Sequence, residues 1–284
     1  MQRARILLTV LTAAVCFAPA SAQQVRQPPP YRILVSNDDG VRAPGLAAVA
    51  QILQAIGDVT IVAPAENHSG AGHSISTNND AIFRDDLTLP NGLKAIGLTA
   101  TPASTVNVAI RNIMKPLPDL VVSGINRGTN LGYSAYVSGT VGAARQAAML
   151  GIPAIAASMA AVGVPRDLPY AAEEVLGVAR RAKMYGLPPR AFLNVSIPEM
   201  PQGGYKGYMV TKLATQHGGE EGYVETKHPG TERTIYWNVY KENPAGAPQG
   251  TDVWAVANGY VSVTPMKIGE TDESHIDTLK GWFK

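Results

Sequence analysis

From residue 31 onward, short apolar runs alternate with amphipathic stretches, and polar turns containing glycine or proline separate them. Arg32–Ser36 reads as a buried strand that ends in the tight turn Asn37-Asp-Asp-Gly40. Pro44 suits the first turn of a helix; Leu46, Val49, Leu53 and Ile56 mark its apolar face, and Gly57 stops it. Val59–Ala63 is the next strand, followed by a long polar loop over Pro64–Asp80. A strand, helix and strand of these lengths form a right-handed parallel βαβ unit. The rhythm continues with a helix over Ala103–Met114, a strand over Asp119–Ser123 and an alanine-rich helix over Thr140–Leu150. A strand over Ala154–Ala157, an amphipathic helix over Tyr170–Tyr185 and a strand over Phe192–Ile197 complete it. The pattern predicts a doubly wound α/β domain with a mostly parallel sheet over residues 31–198. After Pro198 it breaks into short alternating strands at Gly207–Leu213, Thr234–Tyr240 and Tyr260–Thr264, read as a β-rich C-terminal extension and oligomerisation arm over residues 199–284 with a return to the core and a flexible connector at Asn243–Gly250.

The first residues have a different grammar. Met1–Arg5 is basic, Ile6–Ala18 is apolar, and Pro19-Ala-Ser-Ala22 supplies small residues, which together predict a signal peptide over residues 1–22 and export to the periplasm. The apolar run is shorter than a membrane-spanning helix requires, so no membrane partner is expected. Cys16, the only cysteine, falls inside this leader, which leaves the mature chain without disulfides, thiolate metal sites or a cysteine nucleophile. Residues 23–30 (QQVRQPPP) form a proline-rich spacer.

Composition narrows the partner. With 284 residues, 45% hydrophobic and 16% charged, the chain can bury a sizeable core and is too apolar for disorder. The net charge is +2, and without Arg3 and Arg5 of the leader 22 basic residues face 22 acidic ones. No basic face for a polymeric nucleic acid is advertised, and a small ligand is the expected partner.

In open α/β sheets, ligands bind at the carboxyl ends of the strands. Asn37, Asp38 and Asp39 follow the first strand, Asn67-His68-Ser69-Gly70 the second, and Gly124-Ile-Asn126-Arg127-Gly128 the strand at 119–123. Asp38, Asp39, Ser69 and Asn126 bring two carboxylates, a hydroxyl and an amide to one edge. Such an all-oxygen set suits one hard divalent cation per subunit, Mg²⁺ or Mn²⁺, rather than zinc. Ser138-Gly139-Thr140 leads directly into a helix, where free N–H groups and the dipole favour a phosphate. Gly70 is a further phosphate-binding candidate. A metal site and a phosphate site on one edge point to phosphoester hydrolysis. Taken singly, Asp-Asp-Gly is also a common turn and Ser-Gly-Thr an ordinary N-cap; the joint arrangement carries the inference. The five histidines show no metal-ligand spacing, although His68 and His73 share a loop with Ser69 and are candidates to support the site from behind. Nucleophile-elbow, Walker and dinucleotide-binding signatures are absent from the sequence.

At these residues the sequence resembles the SurE family, the survival-protein 5′/3′-nucleotidases. The matching segments are ILVSNDDGVRAPGL at 33–46, VAPAENHSGAGHSIS at 62–76, PDLVVSGINRGTNLG at 118–132 and SGTVGAARQAAMLGIPAIAAS at 138–158, with NVSIP at 194–198 and GTDVWAVANGYVSVTP at 250–265. The resemblance implies a Rossmann-like domain, hydrolysis of nucleoside monophosphates by a metal-activated water, metal ligands at Asp38, Asp39, Ser69 and Asn126, and a C-terminal extension exchanged within a homodimer or homotetramer. In the expected mechanism Asn37 and the Ser138–Thr140 helix start hold phosphoryl oxygens, and one of the two aspartates takes the proton of the water. Two positions depart from the family pattern: Ser104 stands where an aspartate is usual, and Val137 where a tyrosine is usual. These departures keep two rival readings open, a broad acid phosphatase and a non-catalytic nucleotide-binding protein.

If the leader is cleaved after Ala22, N-terminal sequencing of the protein from periplasmic extract will begin at Gln23. An intact Met1 on protein recovered from the cytoplasm would contradict this.

Overall fold

The central strands carry nearly continuous apolar runs because both of their faces are covered. In β1 (Arg32–Ser36), Ile33 and Val35 join one core layer while Leu34 joins the other. The same alternation runs through β5 (Leu120–Arg127) and β6 (Ala154–Met159): Val122 and Ile155 face the first layer, Val121 and Ala156 the second. The computed structural model describes residues 29–77, 79–160, 167–200, 203–215, 219–242, 246–269 and 271–283. The leader, the spacer up to its last two prolines, and residues 243–245 of the connector lie outside the described residues.

The remaining strands are β2 (Asp58–Pro64), β3 (Arg84–Thr88), β4 (Lys94–Leu98), β7 (Ala191–Ile197), β8 (Tyr208–Val210), β9 (Gly219–Lys227), β10 (Thr234–Glu242) and β11 (Val261–Lys267). Among the described residues, nine strands form one sheet in the order β3-β4-β2-β1-β5-β6-β7-β11-β8. The run from β4 to β7 is parallel, as in a doubly wound α/β fold. Helices α1 (Pro44–Leu53) and α5 (Leu168–Tyr185) cover one face. The other face is covered by α2 (Pro102–Val108), the π-helical turn that continues it over Ala109–Ile113, and α4 (Gly139–Met149), which follows the short α3 (Ser134–Val137). The alanines of α4 let its backbone lie close to the strands, so that Ala143, Ala144, Ala147 and Ala148 are all buried.

Three features differ from the sequence pattern. Residues 84–98 form an antiparallel hairpin at the sheet edge, and its outer strand (RDDLT) is charged and exposed, so it carries no apolar alternation. The strand expected to end at Ser123 continues to Arg127 through a bulge, which places Asn126 on the strand rather than in a loop. Gly124 makes this possible: its φ is +135°, and a Cβ there would lie 2.2 Å from the carbonyl oxygen of Ala157. The residues after Pro198 divide. Strands β8 and β11 join the main sheet, β11 pairing antiparallel with β7, whereas β9 and β10 form a separate two-stranded arm. Helices α6 (Asp252–Ala257) and α7 (Ile276–Trp282) stand where no helix is expected.

The arm leaves and returns at one point. Lys212 and Thr251 form a parallel bridge, Lys212 donates its N–H to Gly250 O at 3.1 Å, and Asp252 donates its N–H to Lys212 O at 3.0 Å. Beyond this base, Tyr223, Tyr236 and Trp237 are exposed.

Candidate active site

The site begins with a turn. Asn37 is fully buried and donates its Nδ2 hydrogen to Gly40 O at 2.9 Å, which closes the turn after β1 and projects Asp38 and Asp39 from it. Asp38 is 2% exposed, and its Oδ1 accepts a 2.5 Å hydrogen bond from Thr140 Oγ1 at the start of α4. Asp39, half-buried, accepts at Oδ2 from the backbone N–H of Arg127 at 3.2 Å. The start of α4 and the end of β5 are therefore fastened to the carboxylate pair.

The loop after β2 is fastened as well. His68 donates its N–H to Asp38 O at 2.7 Å, Gly72 donates to Val137 O at 2.9 Å, and His73 Nε2 lies 2.9 Å from Gln146 Oε1 of α4. These bonds hold exposed Ser69 and Gly70 beside the pair. Ser104, where the family pattern has an aspartate, accepts from the N–H of Ser76 at 2.7 Å and so braces the far end of the same loop with a neutral acceptor. Val137, the other departure, uses its backbone oxygen here and leaves its side chain exposed. Asn126 is buried and donates its Nδ2 hydrogen to Gly128 O at 2.7 Å, which leaves Oδ1 as the atom it can offer a cation.

The donor set fits a hard divalent cation. Asp38 Oδ2, one oxygen of Asp39, the Ser69 hydroxyl and Asn126 Oδ1 are all oxygens, and among the described residues no group of three or more His, Cys, Asp or Glu offers a competing site. Gly139 keeps the place clear, because a Cβ there would lie 2.9 Å from Asp38 Oδ2. Burial pushes the Asp38 carboxyl up to about 6, and the charge of Asp39 adds to this while the Thr140 bond opposes it. Burial also raises Asp39, against the N–H and positive charge of Arg127. Without a counter-ion this pair is an unfavourable concentration of charge, and a cation relieves it.

The phosphate-binding candidates separate. Ser138 accepts from Val141 N–H at 3.1 Å as the N-cap of α4, and Thr140 gives its hydroxyl hydrogen to Asp38. Both hydroxyls act within the protein, and the first-turn N–H groups of Gly139 and Thr140 are what remains for an anion. Asn37 has no exposed surface and braces the turn from beneath, contrary to the expectation that it touches a phosphoryl group.

One residue that sequence reasoning passed over supports the edge from further away. Asp252 is fully buried; its Oδ2 accepts from Gly132 N–H at 2.9 Å, and its Oδ1 from Ala214 and Val253 N–H at 2.8 and 2.9 Å. It joins the loop after β5 to the base of the arm. Asn194 Nδ2, bonded to Asn130 O at 2.8 Å, and Ser158 Oγ, which accepts from Asn130 N–H at 3.2 Å, hold the same loop. Nothing in Gly250-Thr-Asp252 separates such a brace from an ordinary Thr N-cap followed by an acidic first turn.

Comparison with known proteins shows the family and the fold. The family described as Survival protein SurE matches residues 33–220. Over 250 residues the chain is 39% identical to the 5′-nucleotidase SurE of Alkalilimnicola ehrlichii, covering 88% of this chain and 94% of that one. The crystal structure of the SurE protein from Aquifex aeolicus superposes with a TM-score of 0.75 at 33% identity, over 89% of this chain and all of that one.

The raised carboxyl of Asp38 sets a pH dependence for the metal-free protein. Its stabilising contribution is fully present below the ordinary aspartate range near 3.8 and is lost as pH rises through about 6. The loss amounts to about 3 kcal/mol by neutral pH. In the presence of a chelator, Asp38→Asn is expected to raise the melting temperature at pH 7.5 and to change it little at pH 4. Equal effects at both pH values would contradict the burial argument.

Proposed function

The chain belongs to the SurE family, and from that premise we propose that it hydrolyses nucleoside 5′- and 3′-monophosphates to nucleoside and phosphate with the help of one bound Mg²⁺ or Mn²⁺. One observation carries the reading: a paired-carboxylate cation site and a helix N-terminus suited to an anion are joined by a single hydrogen bond, Thr140 Oγ1 to Asp38 Oδ1 at 2.5 Å. A cation held by Asp38, Asp39, Ser69 and Asn126 supplies Lewis-acid activation of water and of the phosphoryl group.

The chain's own residues do the positioning. Thr140 fixes the rotation of the Asp38 carboxyl, and Gly128 O fixes the amide of Asn126 with Oδ1 outward. The N–H groups of Gly139 and Thr140 point at the place where a phosphoryl oxygen gathers charge, and they are set before substrate arrives. The bond from His68 to Asp38 O keeps Ser69 and Gly70 against the same edge. The oxygen of water bonds to phosphorus as the ester phosphorus–oxygen bond breaks, and the proton that the water gives up passes by way of one of the two aspartates to the oxygen of the departing nucleoside.

The arm supports a homo-oligomer as part of the reading. A two-stranded hairpin is marginal in water alone, and this one exposes Tyr223, Tyr236 and Trp237 outside the main sheet. A second copy of the chain covers these surfaces in the assembly we propose.

Two measurements test this. Asp39→Asn removes half of the formal charge of the cage and is expected to lower Mn²⁺-dependent phosphate release from AMP at least about a hundredfold, roughly 2.7 kcal/mol of transition-state stabilisation. Ser69→Ala is milder, because water can replace a neutral ligand; near-normal turnover by folded Asp39→Asn would overturn the mechanism. In light scattering, wild type is expected as a dimer or tetramer and Trp237→Asp as a smaller species, and an active wild-type monomer at micromolar concentration would exclude the assembly.

A further inference from the structure

The carboxyl edge carries a guanidinium that the cation cage does not use. Arg127 is the last residue of β5 and is exposed, immediately after Asn126. Its backbone N–H is committed to Asp39 Oδ2 at 3.2 Å, so the origin of its side chain is fixed beside the cage. Among the described residues, the guanidinium itself makes no ion pair or hydrogen bond. Four other arginines are occupied: Arg32 with Asp119, Arg84 with Asp86, Arg111 with Asn107 and Arg181 with Gly177 O.

Charge balance gives this side chain a task. A divalent cation neutralises Asp38 and Asp39, and a phosphate monoester dianion then adds two negative charges to the same edge. The helix start offers partial charge only. A guanidinium offers a full charge in a planar fork that matches two phosphoryl oxygens. We propose that Arg127 is a phosphoryl-binding residue, which receives the oxygens of the substrate on the Asp39 side of the cation while the N–H groups of Gly139 and Thr140 receive them on the Asp38 side. This rests on the phosphatase reading of the site.

The proposal predicts opposite signs for two ligands. Before phosphate arrives, Arg127 repels the incoming cation; afterwards it attracts the anion. Calorimetric titration of Mn²⁺ into phosphate-free protein, then of inorganic phosphate into Mn²⁺-saturated protein, reads both without turnover. Arg127→Gln keeps the backbone N–H that Asp39 needs. It is expected to bind Mn²⁺ about threefold more tightly, the scale of an exposed charge interaction, and phosphate about tenfold more weakly, the scale of a charge-assisted hydrogen bond. Arg127→Lys is expected to restore wild-type Mn²⁺ affinity and only part of the phosphate affinity. Unchanged phosphate affinity in Arg127→Gln would overturn the proposal, as would parallel weakening of both ligands, the mark of a merely structural role. Wild-type protein that takes up Mn²⁺ but no phosphate would overturn the phosphatase reading together with it.

Discussion

Burying two adjacent carboxylates at the end of one strand is the constraint that organises this molecule. Asp38 is almost wholly removed from water and stands beside a second like charge, so its ionised form is costly unless the surroundings compensate. The fold compensates only in part. Thr140 donates to Asp38 and Arg127 N–H to Asp39, while Asn37 secures the turn from below. What remains uncompensated is a local demand for positive charge, and that demand is the chemical identity of the site.

Meeting the constraint requires loops to behave as rigid parts. The loop that carries Ser69 is bonded to Asp38, Val137, Gln146 and Ser104, which lie on four separate segments of the chain. The loop after β5 is held by Ser158, Asn194 and Asp252 from β6, β7 and α6. Buried polar groups on β6, on β7 and at the start of α6 therefore act as fasteners, each bonded to the backbone of a functional loop. The helices on both faces fix the strands, the strands fix the fasteners, and the fasteners fix the edge.

Much of this is legible in the sequence where burial is two-sided. Strands β1, β2, β6 and β7 and helices α1, α4 and α5 follow from continuous apolar runs and amphipathic faces, and the strand-end rule is enough to bring Asp38, Asp39, Ser69 and Asn126 to one edge. Charged β3 is not legible, because an edge strand needs no apolar alternation. Nor is α6, whose short apolar DVWAVA suits a strand as well as a helix. Within the site, residue type shows which groups are polar but not where their hydrogens go. Thr140 and Ser138 have the same hydroxyl chemistry, yet one turns to a carboxylate 102 positions away and the other to the third residue of its own sequence segment. That choice belongs to tertiary structure.

The base of the arm has a consequence of its own. Chain entry and exit meet at the Lys212–Thr251 bridge, with Asp252 sealing the junction, so everything beyond it is a closed excursion from a finished domain. In the assembly proposed above, exchange of the arm between neighbours would leave these junction bonds unchanged, and the balance between self-covering and mutual covering would depend on effective concentration rather than on contact chemistry. For the same reason the arm can lengthen, shorten or diverge through descent at a cost that grows only logarithmically with its length. The catalytic edge would inherit none of those changes except through the one carboxylate it shares with the junction.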